Sequence, residues 1–336
     1  MHPPSLRLLT FARDSSIEKD SSPLLQSLLN ISNDNDLVGT FPSFKPASLV
    51  RRPEKKTQLK KFVRKAQHVE YQLGSWASER FIVTSIRIFK DAMRANGEKM
   101  VGWSSMEKDS VMESLQEVDI TTYFATHSSD TITNTSAKFE CLLEALLKEY
   151  DASFCGLIFV EQRVMVLALS QLLSIHPRSR NIFRCKTFIG MSSDTKRKTE
   201  LGDLLNRRDQ LTTLDDFRQG SINLIIATNA LEEGIDVSAC NNVFCFDDLP
   251  NLKSFVQRRG RARAENSNFF VLSSKDNGGS LEKLRAAEEE MIKRYQDDKR
   301  LRGEFIKREG IQEDSKERFV VKSTGFVNVL QNIVTY

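Results

Sequence analysis

From residue 137 onward the chain alternates short, solidly apolar runs with helical stretches, and that alternation constrains the fold most. The runs occupy 155–160, 224–227, 242–246 and 269–272, and 183–189 is strand-like. A run that is apolar at every position, and not at every second one, suits a strand buried on both faces of a sheet. Between the runs lie helix stripes: Phe139, Leu142, Leu143, Leu146 and Leu147, then 163–173, then the charged stretch 195–217. Strands alternating with helices predict a doubly wound parallel α/β sheet. Ligands of such sheets bind beyond the carboxyl ends of the strands. Thr228 and the loop 233–236 follow directly on the 224–227 run, where that rule puts a site.

The first 136 residues read differently. Residues 1–45 are rich in Ser, Asn, Asp and Pro, with one short apolar helix candidate at 24–29, and predict a poorly ordered leader. Residues 46–136 predict an all-helical lobe. Leu59, Phe62 and Val63, then Ile82, Ile86 and Phe89, recur at spacings of three and four. Met112, Leu115 and Val118 mark a further helix over 106–126. Residues 128–136 form a polar break, so 137–275 are expected to make a domain of their own. Residues 276–312 predict an amphipathic helix, and 313–336 the start of a further domain.

Composition excludes several classes. The net charge of +4 on 336 residues is too small to indicate nucleic acid by itself. Local charge is more telling. Residues 51–65 carry eight basic side chains, Lys60, Lys61, Arg64 and Lys65 among them, against Glu54. They form either a phosphate-neutralising patch or a solvated helix face. The five cysteines are scattered without a C-x-x-C pair, and the four histidines lie far apart. No metal site is expected, and the thiols fit the reduced state of the cytoplasm or nucleus. No apolar run approaches the ~20 residues of a membrane span, so no membrane is expected as a partner.

Two loops carry the candidate chemistry. The first, after Ala227, reads Thr-Asn-Ala-Leu-Glu-Glu-Gly-Ile-Asp (228–236) and supplies Thr228, Glu233, Gly234 and Asp236. The second reads Gln-Arg-Arg-Gly-Arg-Ala-Arg (257–263) and places four arginines in six residues. It is expected to be a loop. Guanidinium forks match phosphate oxygens in a way a lysine cannot, and Gly260 permits close backbone approach.

This pair of loops resembles motifs V and VI of superfamily 2 helicases. The wording around Glu232–Asn241 is similar to Dicer and the innate-immune RNA-sensor helicases, most of all to fungal Dicer-like proteins. The resemblance is strong over roughly 137–272, weaker over 46–96, and nearly absent before residue 45. It implies a RecA-like parallel sheet flanked by helices, with an all-helical insertion lobe. It implies that Gln257 and Arg261 face ATP phosphates, with Arg263 as an arginine finger. Glu233, Gly234 and Asp236 would serve the nucleotide. Thr228, Arg163 and Gly190 would touch the backbone of double-stranded RNA, as would Lys60, Lys61 and Arg64 on the helical lobe. The last 24 residues resemble the start of a Dicer dimerisation domain.

No G-x-x-x-x-G-K-[ST] stretch and no Asp-Glu dipeptide occur in the chain. Phosphate cradling and Mg²⁺ positioning need those elements. The expectation is therefore a fragment lacking the first RecA-like domain and the RNase III domains, inactive by itself. ATP with Mg²⁺ would be engaged only with a first RecA-like domain supplied. The chain is then half of an RNA-dependent ATPase motor of RNA silencing. Two alternatives stay open: a non-enzymatic RNA- or protein-binding module on a degenerate helicase fold, and half of a DNA-repair helicase.

Overall fold

A computed structural model of the chain describes residues 4–12, 22–34, 54–95, 102–118, 120, 132, 134–189, 210–232, 240–275 and 279–309. Six parallel strands form one sheet: β1 (Ser5–Phe11), β2 (Gly156–Phe159), β3 (Cys185–Phe188), β4 (Leu224–Ala227), β5 (Asn242–Cys245) and β6 (Asn268–Ser274). Their spatial order is β1-β6-β5-β2-β4-β3. The alternation of apolar runs and helices thus builds the parallel sheet expected of it, and β2, β4 and β5 are buried at every residue.

Successive side chains of a strand point to opposite faces, and both faces here are covered. Leu157, Ile225, Val243 and Phe269 enter one core; Ile158, Ile226, Phe244 and Phe270 enter the other. The second core is roofed by α1 (Pro23–Asp34), α2 (Glu54–Leu73), α3 (Ser75–Arg94), α4 (Ser105–Gln116), α5 (Ala137–Lys148) and α6 (Arg163–Ile175). The first is closed by α7 (Gln210–Arg218), α8 (Leu252–Arg259) and the start of α9 (Gly279–Glu309).

Two sequence expectations need correction. The leader is not poorly ordered where it is described. β1 pairs with β6 in register from Ser5↔Asn268 to Phe11↔Ser274. Its alternation serves both cores, Leu6 and Leu8 going to one, Leu9 and Phe11 to the other. Helix α1 is docked just as firmly. Fully buried Ser22 accepts from the Leu25 amide, donates its own amide to Glu70 Oε1 at 2.6 Å and its hydroxyl to Glu79 Oε1 at 3.1 Å. Nor is the helical lobe set apart from the sheet domain. Phe62, Ile86 and Phe139 share one continuous core with Ile158 and Phe270. The expected start of a dimerisation domain lies outside the described residues.

Two contacts fix the joint between lobe and sheet. Gly74 links α2 to α3 at φ 101°, and a Cβ there would stand 2.0 Å from the Asn134 carbonyl oxygen. That is a left-handed, crowded position suited to glycine. Lys138, in the first turn of α5, donates to Gln72 Oε1 at 2.6 Å and to Asp247 Oδ1 at 3.1 Å, just beyond β5. Its ammonium also lies 4.1 Å from the Phe246 ring centroid. Asp247 Oδ2 accepts the Glu161 amide beyond β2 at 2.7 Å. The carboxyl ends of the two central strands are thereby tied to the helical lobe.

Candidate functional site

The arginine-rich stretch is not a loop. Residues 252–259 form α8, whose N-cap Asn251 accepts from the Ser254 amide, and only Gly260–Arg263 make the turn that follows. The helical register sorts the four arginines. Arg258 points inward and is 3% exposed. Its Nε donates to Glu232 Oε1 at 2.6 Å, and its guanidinium lies 5.1 Å from the Phe159 ring centroid. Glu232 Oε2 also accepts from the Ser254 hydroxyl at 3.2 Å. Burial pushes the neighbouring Cys245 thiol up to about 12, so it stays neutral beside this pair. Arg259 turns the other way. It is paired through both terminal nitrogens with Glu288 of α9 and stacks over Phe255 at 5.2 Å. These two arginines anchor α8 to its surroundings.

Arg261 and Arg263 belong to the turn. Arg261 Nη2 donates to the Glu232 carbonyl oxygen at 2.7 Å, and the residue is 8% exposed. Arg263 is exposed, with its Nε held by the Gly260 carbonyl at 2.8 Å. Ala262 forms a parallel bridge with Cys240, and the Ala264 amide donates to the Cys240 carbonyl at 3.3 Å. The turn therefore sits by the amino ends of β5 and β6. Thr228 lies at the opposite end, closing the carboxyl end of β4, with its amide on the Phe188 carbonyl at 3.2 Å. It is 5% exposed. The carboxyl-end rule thus accounts for Thr228 and for Arg258, which lies against Phe159 at the end of β2, and not for the Gly260–Arg263 turn. A single 3-10 turn (Asn229–Leu231) leads from Thr228 to Glu232, where Arg258 and Arg261 grip the chain from side chain and backbone respectively.

The other sequence candidates fall in three places. Gln257 is half-buried on α8, next to Arg258. Arg163 is exposed at the start of α6, beyond the carboxyl end of β2. On α2, Lys61 and Arg64 are exposed and Lys60 half-buried, on the side away from the buried Leu59, Phe62 and Val63. Eight residues on, about 12 Å along the helix, His68 approaches Asp247, Lys138 and Glu161, and burial holds its pKa below the ordinary value. Gly190, Glu233, Gly234 and Asp236 lie outside the described residues. Among the described residues no group of three His, Cys, Asp or Glu could hold a metal ion, and no helix is long and apolar enough to cross a membrane.

Sequence reasoning passed over Glu232, whose carboxylate holds Arg258 and whose carbonyl holds Arg261. The pattern Glu-Glu shows that one of two adjacent carboxylates can face inward, and only the position of α8 decides which. Glu288 was also invisible, since it lies among three consecutive glutamates (288–290) on a charged helix.

Residues 137–265 match the helicase conserved C-terminal domain family. The chain is 42% identical to Dicer-like protein 2-1 of Aspergillus niger over 280 residues, which is 83% of this chain and 20% of that protein. It is 42% identical over 288 residues to Dicer-like protein 2 of Aspergillus fumigatus, and 41% identical over 286 to that of Neosartorya fischeri. Each match covers 85% of this chain and 20% of the relative. The chain spans about a fifth of the length of the curated relatives it matches. Among solved structures, a DEAD box protein from the hyperthermophile Methanococcus jannaschii aligns with TM-score 0.34 and 21% identity, over 45% of this chain and 36% of that one.

Proposed function

We propose, from the premise that this chain carries the helicase C-terminal domain of a Dicer-like helicase, that it supplies the second half of an RNA-stimulated ATPase motor. The observation that carries the reading is the division of labour in 257–263. Arg258, Arg259 and Arg261 are committed to contacts within the domain, and Arg263 is presented on the turn.

In this reading ATP is a substrate held in a cleft between this domain and a first RecA-like domain. Arg263, exposed on the turn, stabilises charge that develops on the transferred phosphoryl group. Arg261, tied to the Glu232 carbonyl, positions the loop that bears Glu233, Gly234 and Asp236. The P-loop and the Mg²⁺ carboxylates come from the other domain. No described cluster here fits a metal ion, so no step is assigned to magnesium on this chain. Double-stranded RNA is bound along its backbone, by charge and not by base sequence. The exposed Lys61 and Arg64 of α2 and Arg163 of α6 are the groups assigned to it. RNA silencing is the setting this implies.

The test is reconstitution. A first RecA-like domain from a Dicer-like relative, fused or co-expressed, should give ATP hydrolysis that rises with double-stranded RNA. The chain by itself should give none. Arg263→Lys should lower the rate of the pair by about 10³-fold or more, the range for a displaced arginine finger. A pair that folds and binds ATP yet stays inactive would favour the non-enzymatic binding module.

A further inference from the structure

We infer that Cys155 and Cys240 form an oxidisable thiol pair, a site at which a peroxide closes a disulfide beneath the Arg261–Arg263 turn. Cys155 immediately precedes β2 and Cys240 lies two residues before the neighbouring strand β5, the two strands running in register from Gly156↔Asn242. The backbone brings them together. The Asn241 and Asn242 amides donate to the Cys155 carbonyl at 3.0 and 3.3 Å, and the Cys155 amide donates to Asn241 Oδ1 at 2.8 Å. Both side chains lie on the same face of the sheet and pack into the same core. The two thiols act on each other's titration, Cys240 lowering Cys155 and Cys155 raising Cys240.

Accessibility divides the roles. Cys155 is half-buried and Cys240 fully buried. The Cys240 side chain holds the Cys155 thiol below its ordinary pKa, with burial opposing, while Cys240 is raised by Cys155 and by burial. An accessible thiol with enhanced thiolate character beside a second, resolving thiol is the arrangement that oxidises selectively. The remaining cysteines contrast with it. Burial raises Cys141, Cys185 and Cys245, with no second thiol among the causes.

The chemistry balances in two steps. The Cys155 thiolate attacks one oxygen of hydrogen peroxide; the O–O bond breaks, the departing hydroxide takes a proton as water, and a sulfenic acid is left on Cys155. The Cys240 sulfur then attacks the Cys155 sulfur; the S–O bond breaks, and the hydroxide leaves as water with the Cys240 proton. Two thiols lose two electrons and two protons, and the peroxide becomes two waters. Because Cys240 also bridges Ala262, the new bond fastens the start of β2 to the turn carrying Arg261 and Arg263.

The full chain would be treated with stoichiometric hydrogen peroxide, its free thiols alkylated, and its peptides mapped without reduction. The expected product is a Cys155–Cys240 linked peptide, lighter by two hydrogen atoms and reversed by dithiothreitol, with Cys141 and Cys185 alkylated. Amide hydrogen exchange at 261–264 should slow in the oxidised chain. In Cys240→Ser, Cys155 should instead be trapped by dimedone as a sulfenic acid. Both thiols remaining alkylatable at a peroxide dose that consumes free glutathione would overturn the inference, as would a link from Cys155 to any other cysteine. The wild-type map decides this even if the variant does not fold.

Discussion

The Arg258–Glu232 pair offers a quantitative test of how the motif is held. Its side chains are only 3% and 9% exposed, and the 2.6 Å contact is made in the interior. Screening by solvent is therefore slight. Removing one partner of such a pair strands the other charge, which costs about 3–5 kcal/mol. Glu232→Leu leaves the Arg258 guanidinium buried, with the Phe159 ring at 5.1 Å and the neighbouring Cys245 thiol in partial compensation. A desolvated contact of that kind returns about 2 kcal/mol, so the loss should be about 1–3 kcal/mol. Arg258→Met strands Glu232, which retains the Ser254 hydroxyl, and should cost about 3 kcal/mol. The double variant removes both charges and leaves apolar groups facing Phe159. It should lie within about 1 kcal/mol of wild type, since apolar replacement of a buried pair is often neutral. Equilibrium urea unfolding reads this directly. With a slope of about 1–3 kcal/mol per M, each single variant should lower the midpoint by roughly 1–3 M. Single losses below about 1 kcal/mol, or losses that simply add in the double variant, would refute the assignment of this pair as the anchor of the loop.

Three further outcomes are expected. Gly74→Ala should destabilise the chain by more than about 2 kcal/mol, because the added Cβ meets the Asn134 carbonyl in a left-handed backbone; a thermal midpoint within a degree or so of wild type would contradict this. Burial lowers the His68 and His176 pKa values in the fold, so the unfolded chain binds more protons below pH ~6.5. The stability these groups contribute is present above that pH and lost as pH falls; His68→Gln should flatten the fall in urea midpoint between pH 7 and 5.5, and an unchanged profile would count against it. Leu8→Lys should detach β1 and bare the β6 edge, seen as faster amide exchange at 268–274 and a rise in light scattering on warming; exchange as slow as in wild type would show that β6 does not depend on β1.

The sequence was most readable where burial is total. The runs that became β2, β4 and β5 are apolar at every position but Asn242 because both faces are covered, so no periodicity had to be interpreted. β1 escaped because it pairs with one strand only and alternates exposed with half-buried residues, and because β6, its partner, lies far along the chain. The link Ser22 makes to Glu70 and Glu79 was illegible for the same reason. Two buried glutamates on helices look like solvated charges until a third element covers them. The arginine stretch shows a different limit. Residue types named a phosphate-recognising chemistry, but the four guanidiniums are chemically identical, and only the end of α8 sorts them into anchors and presented groups.

The pairing of Ser5–Phe11 with Asn268–Ser274 also sets an order of events during synthesis. β1 precedes its partner strand by more than 250 residues, so the pair forms only after β6 has left the exit tunnel. Throughout that interval the nascent chain carries a strand whose hydrogen-bonding groups have nothing to meet. The Lys and Arg side chains that flank other exposed strands are sparse here, Arg7 being the single charge within β1. Arg7 finds Glu149, which precedes β6 by more than 100 residues. That contact gives the waiting strand a provisional berth beside α5 until β6 arrives.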